Sequence, residues 1–113
     1  MDSFPEFMKN PKNRVENKDQ YSQDIEGYYY EGNDGSQMAF WTCKTAGVSA
    51  THTHPFDEYM VCVHGQYTVL ISGKEIVLEP GDEYRIPKGT QHACKRIAGT
   101  RTIHAFGGKR IQK

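Results

Sequence analysis

Four glycines spaced eight residues apart constrain the fold of this chain more than any other feature of its sequence. They are Gly65, Gly73, Gly81 and Gly89. The segments between them are rich in β-branched and aromatic residues, and each is too short for an amphipathic helix. Short strands that alternate with turns at this spacing are typical of a sandwich or barrel. The sequence therefore predicts an all-β fold.

Further predicted strands lie on both sides of the glycine repeat. On the N-terminal side, the aromatic residues 28–30 and the apolar run 38–43 flank an Asn-Asp-Gly cluster, which predicts a hairpin. On the C-terminal side, residues 100–106 form the last predicted strand. The strands predicted within and beside the repeat are 59–63, 67–71, 75–78 and 83–86.

The chain divides into two predicted regions. Residues 1–23 are polar, with prolines, asparagines and balanced charges, and they predict a flexible N-terminal arm. Residues 24–113 are long enough for a single barrel domain with one modest core. The basic residues near the C-terminus, including Arg110, are interpreted as a solvated tail. Since only 36% of the residues are hydrophobic, we expect a homodimer to help cover the core.

Charge and cysteine content exclude several functional classes. Fourteen basic residues balance fourteen acidic ones, so no strong field favours nucleic acid or an anionic membrane. No apolar run reaches the length of a signal peptide or a membrane span. Three widely spaced cysteines without a C-x-x-C pair argue against a disulfide framework or a zinc knuckle. We therefore expect a cytoplasmic protein with a small-molecule ligand and no nucleic-acid or membrane partner.

A cluster of metal-binding residue types follows Gly47. His52, His54 and Glu58 are separated by even numbers of residues, and such positions project to the same side of a strand. Imidazole and carboxylate together suit a borderline divalent ion. The alternative for the His-x-His pair alone is a chance occurrence on an exposed strand. A fourth residue of this kind, His92, closes the Pro-x-Gly turn of the later segment and favours the metal interpretation.

Two motifs in this order resemble the two signatures of the cupin superfamily. The first is Gly47-x4-His52-x-His54-x3-Glu58-x6-Gly65, and the second is Gly81-x5-Pro87-x-Gly89-x2-His92. The resemblance spans roughly residues 38–106. It implies a double-stranded β-helix, or jelly roll, with a metal at its centre. The metal ligands that the resemblance implies are His52, His54, Glu58 and His92.

The chain departs from the cupin pattern at two places. The interval from Gly47 to His52 is one residue shorter than usual, which should alter only a loop. Arg96 stands where the family commonly has an asparagine, four residues after the last implied ligand. This second change affects the hydrogen bonding at the strand end rather than the metal site.

Other residues are candidates for roles around the metal. Arg96 is predicted either to hold a substrate carboxylate or to lie at the surface. Tyr67 is a possible proton donor, with core packing as the alternative, and His104 is a possible base, with a hydrogen-bonded structural role as the alternative. The even spacing from Glu58 also predicts that Met60, Cys62 and His64 face the interior.

The sequence leaves several functions open. The first is a metal-dependent enzyme on a small oxygen-rich metabolite, of the dioxygenase or the isomerase/lyase type, using one divalent Fe, Mn, Ni, Zn, Co or Cu ion. The alternatives are a non-catalytic cupin that binds a sugar or metabolite, and a metal-binding cupin without a substrate. No catalytic residue is assigned beyond the candidates Arg96, Tyr67 and His104.

Overall fold

The computed structural model describes residues 1–16 and 19–112, and strands dominate it. Two short 3-10 helices, Glu6–Met8 and Pro11–Asn13, precede the strands. In chain order the strands are β1 (Ile25–Glu31), β2 (Gln37–Cys43), β3 (Gly47–Val48), β4 (Glu58–His64), β5 (Tyr67–Ile71), β6 (Lys74–Leu78), β7 (Glu83–Ile86), β8 (Ala93–Arg96) and β9 (Arg101–Phe106). The prediction of an all-β chain is confirmed.

The strands form two antiparallel sheets. One sheet has the order β1-β2-β9-β4-β7, and the other has the order β3-β8-β5-β6. Sequence neighbours are often not spatial neighbours, because the chain crosses from one sheet to the other, as in a jelly roll. The hairpin predicted at the Asn-Asp-Gly cluster joins β1 to β2, with Ile25 opposite Cys43 and Glu31 opposite Gln37.

Strand β4 carries the main core and the start of the functional site on one face. Glu58, Met60 and Cys62 are buried, while Tyr59 between them is exposed. Met60 and Cys62 pack in a cluster with apolar residues of β5, β6 and β7, namely Val69, Leu78 and Ile86. The alternation predicted from Glu58 is therefore confirmed as far as Cys62.

The prediction that His64 faces the interior is wrong. The pairing of β4 with β9 shifts register between Cys62 and His64, so the alternation of sides is interrupted there. His64 is exposed, and its Nδ1 lies 3.1 Å from the carbonyl oxygen of Gly99.

A second core cluster ties both ends of the chain to the barrel. It contains Val15, Ala39, Trp41, Phe106 and Ile111. The buried Gln37 amide fastens the C-terminal segment, since its Nε2 donates to the Ile111 carbonyl at 2.8 Å and its Oε1 accepts from the Ile111 N–H at 2.8 Å. This cluster places the C-terminal segment next to the cavity wall formed by Trp41.

Described parts of the predicted N-terminal arm contact the barrel. The Phe4 ring packs on Phe40 with centroids 5.1 Å apart, and Val15 N–H donates to the Gly27 carbonyl at 2.8 Å. The flexibility of residues 1–23 and the domain boundary at residue 24 stay predictions. No helix in the described ranges is long and apolar enough to cross a membrane.

Candidate metal centre

Backbone hydrogen bonds bring the two sequence motifs together at the histidines. His52 and His92 form an antiparallel bridge in which each N–H donates to the other's carbonyl, at 2.8 and 2.9 Å. Gly89 N–H donates to the His54 carbonyl at 2.9 Å, which fixes the turn before His92. One ligand atom from each of the three histidines lies within 4.8 Å of the others. Three residues predicted from two distant motifs therefore converge on one point.

The hydrogen bonds of two of these imidazoles define their tautomers. Nδ1 of His52 lies 2.8 Å from the Ala50 carbonyl oxygen, and Nδ1 of His92 lies 2.9 Å from the Thr90 carbonyl oxygen. A carbonyl oxygen only accepts, so each Nδ1 carries a proton and donates. The Nε2 atom of each neutral ring then keeps its lone pair, which is the arrangement that metal-ligating histidines use.

Glu58 supplies a carboxylate oxygen that has no hydrogen-bond partner in the described structure. Its Oε1 is buried and lies 3.6 Å from His54 Nε2 and 3.5 Å from His92 Nε2. Buried polar atoms are rarely left without a partner. A cation between these atoms would satisfy Oε1 and both lone pairs. The residues therefore fit a divalent metal, with Glu58 as a fourth donor beside the three histidines.

The electrostatics of the cluster favour a neutral His54 and an ionised Glu58, which are the forms that bind metals. Burial lowers the pKa of His54 to about 4, although the nearby Glu58 opposes this shift. Burial alone would raise the pKa of Glu58, but the hydrogen bond from His104 and the nearby His92 and His54 side chains outweigh it and hold that pKa well below its usual range. Burial would lower the pKa of His92, but the nearby Glu58 carboxylate and the hydrogen bond to the Thr90 carbonyl raise it overall. At neutral pH, His54 is neutral and Glu58 is ionised.

His104 holds the other carboxylate oxygen of Glu58. Its Nδ1 lies 2.7 Å from Glu58 Oε2, its Nε2 lies 3.0 Å from Thr102 Oγ1, and the residue is 2% exposed. Both ring nitrogens are thus engaged within the protein. This contact turns Oε1 of Glu58 toward the histidines, which is how a partner behind a ligand orients it. A catalytic role for His104 stays a prediction.

We expect His104→Ala to lower the affinity for Zn²⁺ by about 10- to 100-fold, because Glu58 would lose the donor that orients it. Competition with a chromophoric chelator measures this affinity. His104→Asn is the matched control, since its side-chain amide can still donate toward Glu58 and should recover part of the loss. Equal affinity in wild type and His104→Ala would show that this contact does not orient a ligand.

A small cavity of about 70 Å³ lies beside the cluster. Its apolar wall includes Trp41, Tyr67 and Phe106. Burial raises the pKa of the Tyr67 phenol well above its usual value, so this hydroxyl stays protonated at neutral pH. The full lining is Gln20, Tyr21, Ser22, Ile25, Trp41, Cys43, Ser49, His52, His54, Glu58, Tyr67, Cys94, Arg96, Thr102, His104, Phe106 and Arg110.

Arg96 lines this cavity but also fastens the segment that covers it. The side chain is 6% exposed and donates from Nε to the Thr45 carbonyl at 3.3 Å and from Nη2 to the Gln23 carbonyl at 2.9 Å. Its Nη1 donates to Ser22 Oγ. Three of the five N–H donors of a guanidinium are therefore used within the protein. Binding of a substrate carboxylate by Arg96 stays a prediction.

Two residues at the cavity mouth were not among the predicted site residues. Tyr21 belongs to the predicted arm, yet its ring stacks on His52 with centroids 3.8 Å apart and planes 6° apart. Arg110 was interpreted as part of a solvated tail, yet it lines the cavity, with Cζ 4.7 Å from the Tyr21 ring centre. The interpretation of Arg110 as solvated is wrong, because Ile111 is anchored in the core and draws the preceding residue inward. No spacing in the sequence links either residue to the histidines.

Comparison with known proteins identifies the family. The family profile described as "Cupin domain" matches residues 39–106, so this chain belongs to the cupin family. The resemblance inferred from the two motifs is confirmed. No curated protein is significantly similar to the chain.

Solved structures share the fold at low sequence identity. KdgF from Halomonas sp. is 19% identical with a TM-score of 0.68, over 81% of this chain and 89% of that one. An RmlC-like cupin from Shewanella frigidimarina is 18% identical with a TM-score of 0.72, over 92% and 86% of the two chains. The polyketide cyclase RemF from Streptomyces resistomycificus is 15% identical with a TM-score of 0.69, over 82% and 71%. Together they support the jelly-roll barrel.

Proposed function

We propose that this protein is a metal-dependent enzyme that acts on a small oxygen-rich molecule. In this proposal one divalent transition metal is held by His52, His54, Glu58 and His92. The observation that carries it is Oε1 of Glu58, which is buried, ionised and unpartnered while two imidazole nitrogens face it at 3.5 and 3.6 Å. A purely structural cluster would pair this oxygen with a donor.

The residues around the cluster suit a reaction site rather than a closed structural site. Four protein donors leave one or two positions open on an ion that prefers five or six ligands. A metal of this kind supplies Lewis acidity and an acidic bound water or, as Fe or Cu, reactivity toward dioxygen. The cavity has an aromatic wall, and the protonated Tyr67 within it can donate a hydrogen bond to a substrate oxygen.

Two reaction types fit this site, and the identity of the metal separates them. Fe or Cu favours a dioxygenase, whereas Ni, Zn, Mn or Co favours an isomerase or lyase that stabilises an enolate oxygen. The neighbours named above include a polyketide cyclase, and another is a putative mannose-6-phosphate isomerase from Ralstonia eutropha. Their low identities relate them to this chain by fold alone. A cytoplasmic location and a homodimer stay predictions.

Elemental analysis of the purified protein, followed by turnover assays with and without oxygen, tests this function. We expect close to one metal ion per chain and turnover that is lost on chelation and restored by the same metal. Metal together with ligand binding but no turnover would instead indicate a non-catalytic binding cupin. A chain that neither retains nor takes up a divalent metal would contradict the proposal.

A further inference from the structure

Arg110 places an unpaired positive charge at the cavity mouth. The residue is only partly exposed, and its guanidinium contacts two aromatic rings, with Cζ 4.7 Å from the centre of Tyr21 and 5.8 Å from the centre of Trp41. Among residues 1–16 and 19–112, no carboxylate forms an ion pair with it, although Glu58 and Asp19 act on its charge from farther away. By contrast, the neighbouring Lys109 is exposed and lies 3.6 Å from Glu31 Oε2.

This arrangement costs stability unless an anion binds there. Removing a cation from water without a counter-ion is unfavourable, and stacking on aromatic faces compensates only in part. Contact with aromatic rings uses none of the N–H groups of the guanidinium, and these groups form no hydrogen bond within residues 1–16 and 19–112. Those N–H donors match both oxygens of a carboxylate in a bidentate pair. Burial also lowers the pKa of Arg110, in keeping with a desolvated cation.

The charges of the whole cavity favour the same kind of ligand. Glu58 is the one carboxylate in the lining, against two guanidinium groups, Arg96 and Arg110. A divalent ion bound through neutral imidazoles and Glu58 would add a further positive charge. Asp19 also acts on Arg110, so the two carboxylates balance the two guanidinium groups and the charge of the metal is left over. An anionic ligand would therefore neutralise charge that remains once the metal is bound.

The geometry limits the length of that ligand. The Tyr21 ring is 3.8 Å from the His52 ring and 4.7 Å from Arg110 Cζ. The guanidinium thus lies no farther from the His52 imidazole than the sum of these two distances. A molecule that joins the two groups inside a cavity of about 70 Å³ is only a few atoms long. Its second polar oxygen must therefore be close to its carboxylate.

We infer that Arg110 binds the carboxylate of a short 2-hydroxy or 2-oxo acid, with the acid's second oxygen directed toward the three histidines. The orientation toward the histidines rests on the proposed metal site, whereas the carboxylate contact does not. Arg110 is thereby the residue that selects anionic ligands, and Tyr21 and Trp41 hold its guanidinium in place.

The single tryptophan gives a local signal for testing this inference. Trp41 is the one tryptophan of the chain and lines the cavity beside Arg110. Titrating the purified protein with lactate and with lactamide, its neutral analogue, compares ligands that differ in charge but hardly in shape. We expect Trp41 fluorescence to report lactate binding at least about 10-fold tighter than lactamide binding, since a charge-assisted pair is lost in the amide.

Variants locate the effect at Arg110. Arg110→Met keeps an unbranched side chain without charge and should weaken lactate binding about 10- to 100-fold, leaving lactamide binding unchanged. Lys109→Met removes the same charge one residue away, outside the cavity, and should bind lactate as wild type does. Because Arg110→Met alters the environment of Trp41, calorimetric titration provides a second reading and a thermal unfolding curve verifies the fold.

The outcomes separate this inference from the proposed function. Equal binding of lactate and lactamide, no binding of either, or equal lactate affinity in wild type and Arg110→Met would each overturn the inference, even with metal present. Lactate binding that depends on Arg110 in a chain that takes up no metal would support the anion subsite and contradict the proposed metal-dependent function. Repeating the titration on chelator-treated protein makes this comparison.

Discussion

His92→Ala is expected to lower the affinity for Zn²⁺ by more than about 100-fold, so that the purified variant retains almost no metal. Replacing a residue that merely orients a ligand typically costs 10- to 100-fold, and His92 would be a ligand itself. Its Nε2 lies 3.5 Å from the unpartnered Oε1 of Glu58. The backbone pairing of His92 with His52 uses main-chain atoms only, so the variant should keep the strand geometry.

His64→Ala is the matched control for this prediction. It removes the same side chain from an exposed position whose Nδ1 contacts the Gly99 carbonyl. Chelator competition and elemental analysis of both variants should separate them clearly, with His64→Ala close to wild type. Full metal occupancy in His92→Ala would contradict the proposed coordination. Equal loss of metal in both variants would contradict it too, because the loss would then not depend on the position of the histidine.

The part of the site that could be predicted from the sequence is the part encoded by local periodicity. His52 and His54 share a side because side chains alternate along an extended chain. The later motif ends at His92 after a turn, and the backbone bridge to His52 then brings both motifs together. A resemblance to known cupin motifs supplied the pairing of the two segments, which periodicity alone could not give.

The rest of the site depends on features that have no local signature. His64 shares the parity of Glu58, but the register shift in β4 moves it to the surface. Tyr21 reaches His52 because Arg96 binds the neighbouring Ser22 and Gln23, a contact between residues more than seventy positions apart. Such contacts depend on the path of a terminal segment over the finished barrel. Polar composition near the termini predicts solvation, and tertiary packing overrides it here.

Met60→Ala is expected to destabilise the metal-free protein by about 2–5 kcal/mol, the range for truncating a buried Met, Leu or Ile. Met60 is 1% exposed and packs with Cys62, Val69, Leu78 and Ile86, so the lost methyl and thioether groups leave a cavity between the sheets. For a domain of this size the melting temperature should fall by roughly 10 °C or more. Chemical denaturation in the presence of a chelator measures the free energy of unfolding without a contribution from metal binding.

Met38→Ala makes the same chemical change at a position on β2 that is 50% exposed, and it should alter the free energy of unfolding by no more than about 0.5 kcal/mol. The difference between the two variants isolates burial from the intrinsic cost of replacing methionine in a strand. Similarly small losses of unfolding free energy in both variants would mean that the two sheets move together and fill the space left by the Met60 side chain. A large loss confined to Met60→Ala would show that the packing beneath the site is rigid, as a preorganised set of ligands requires.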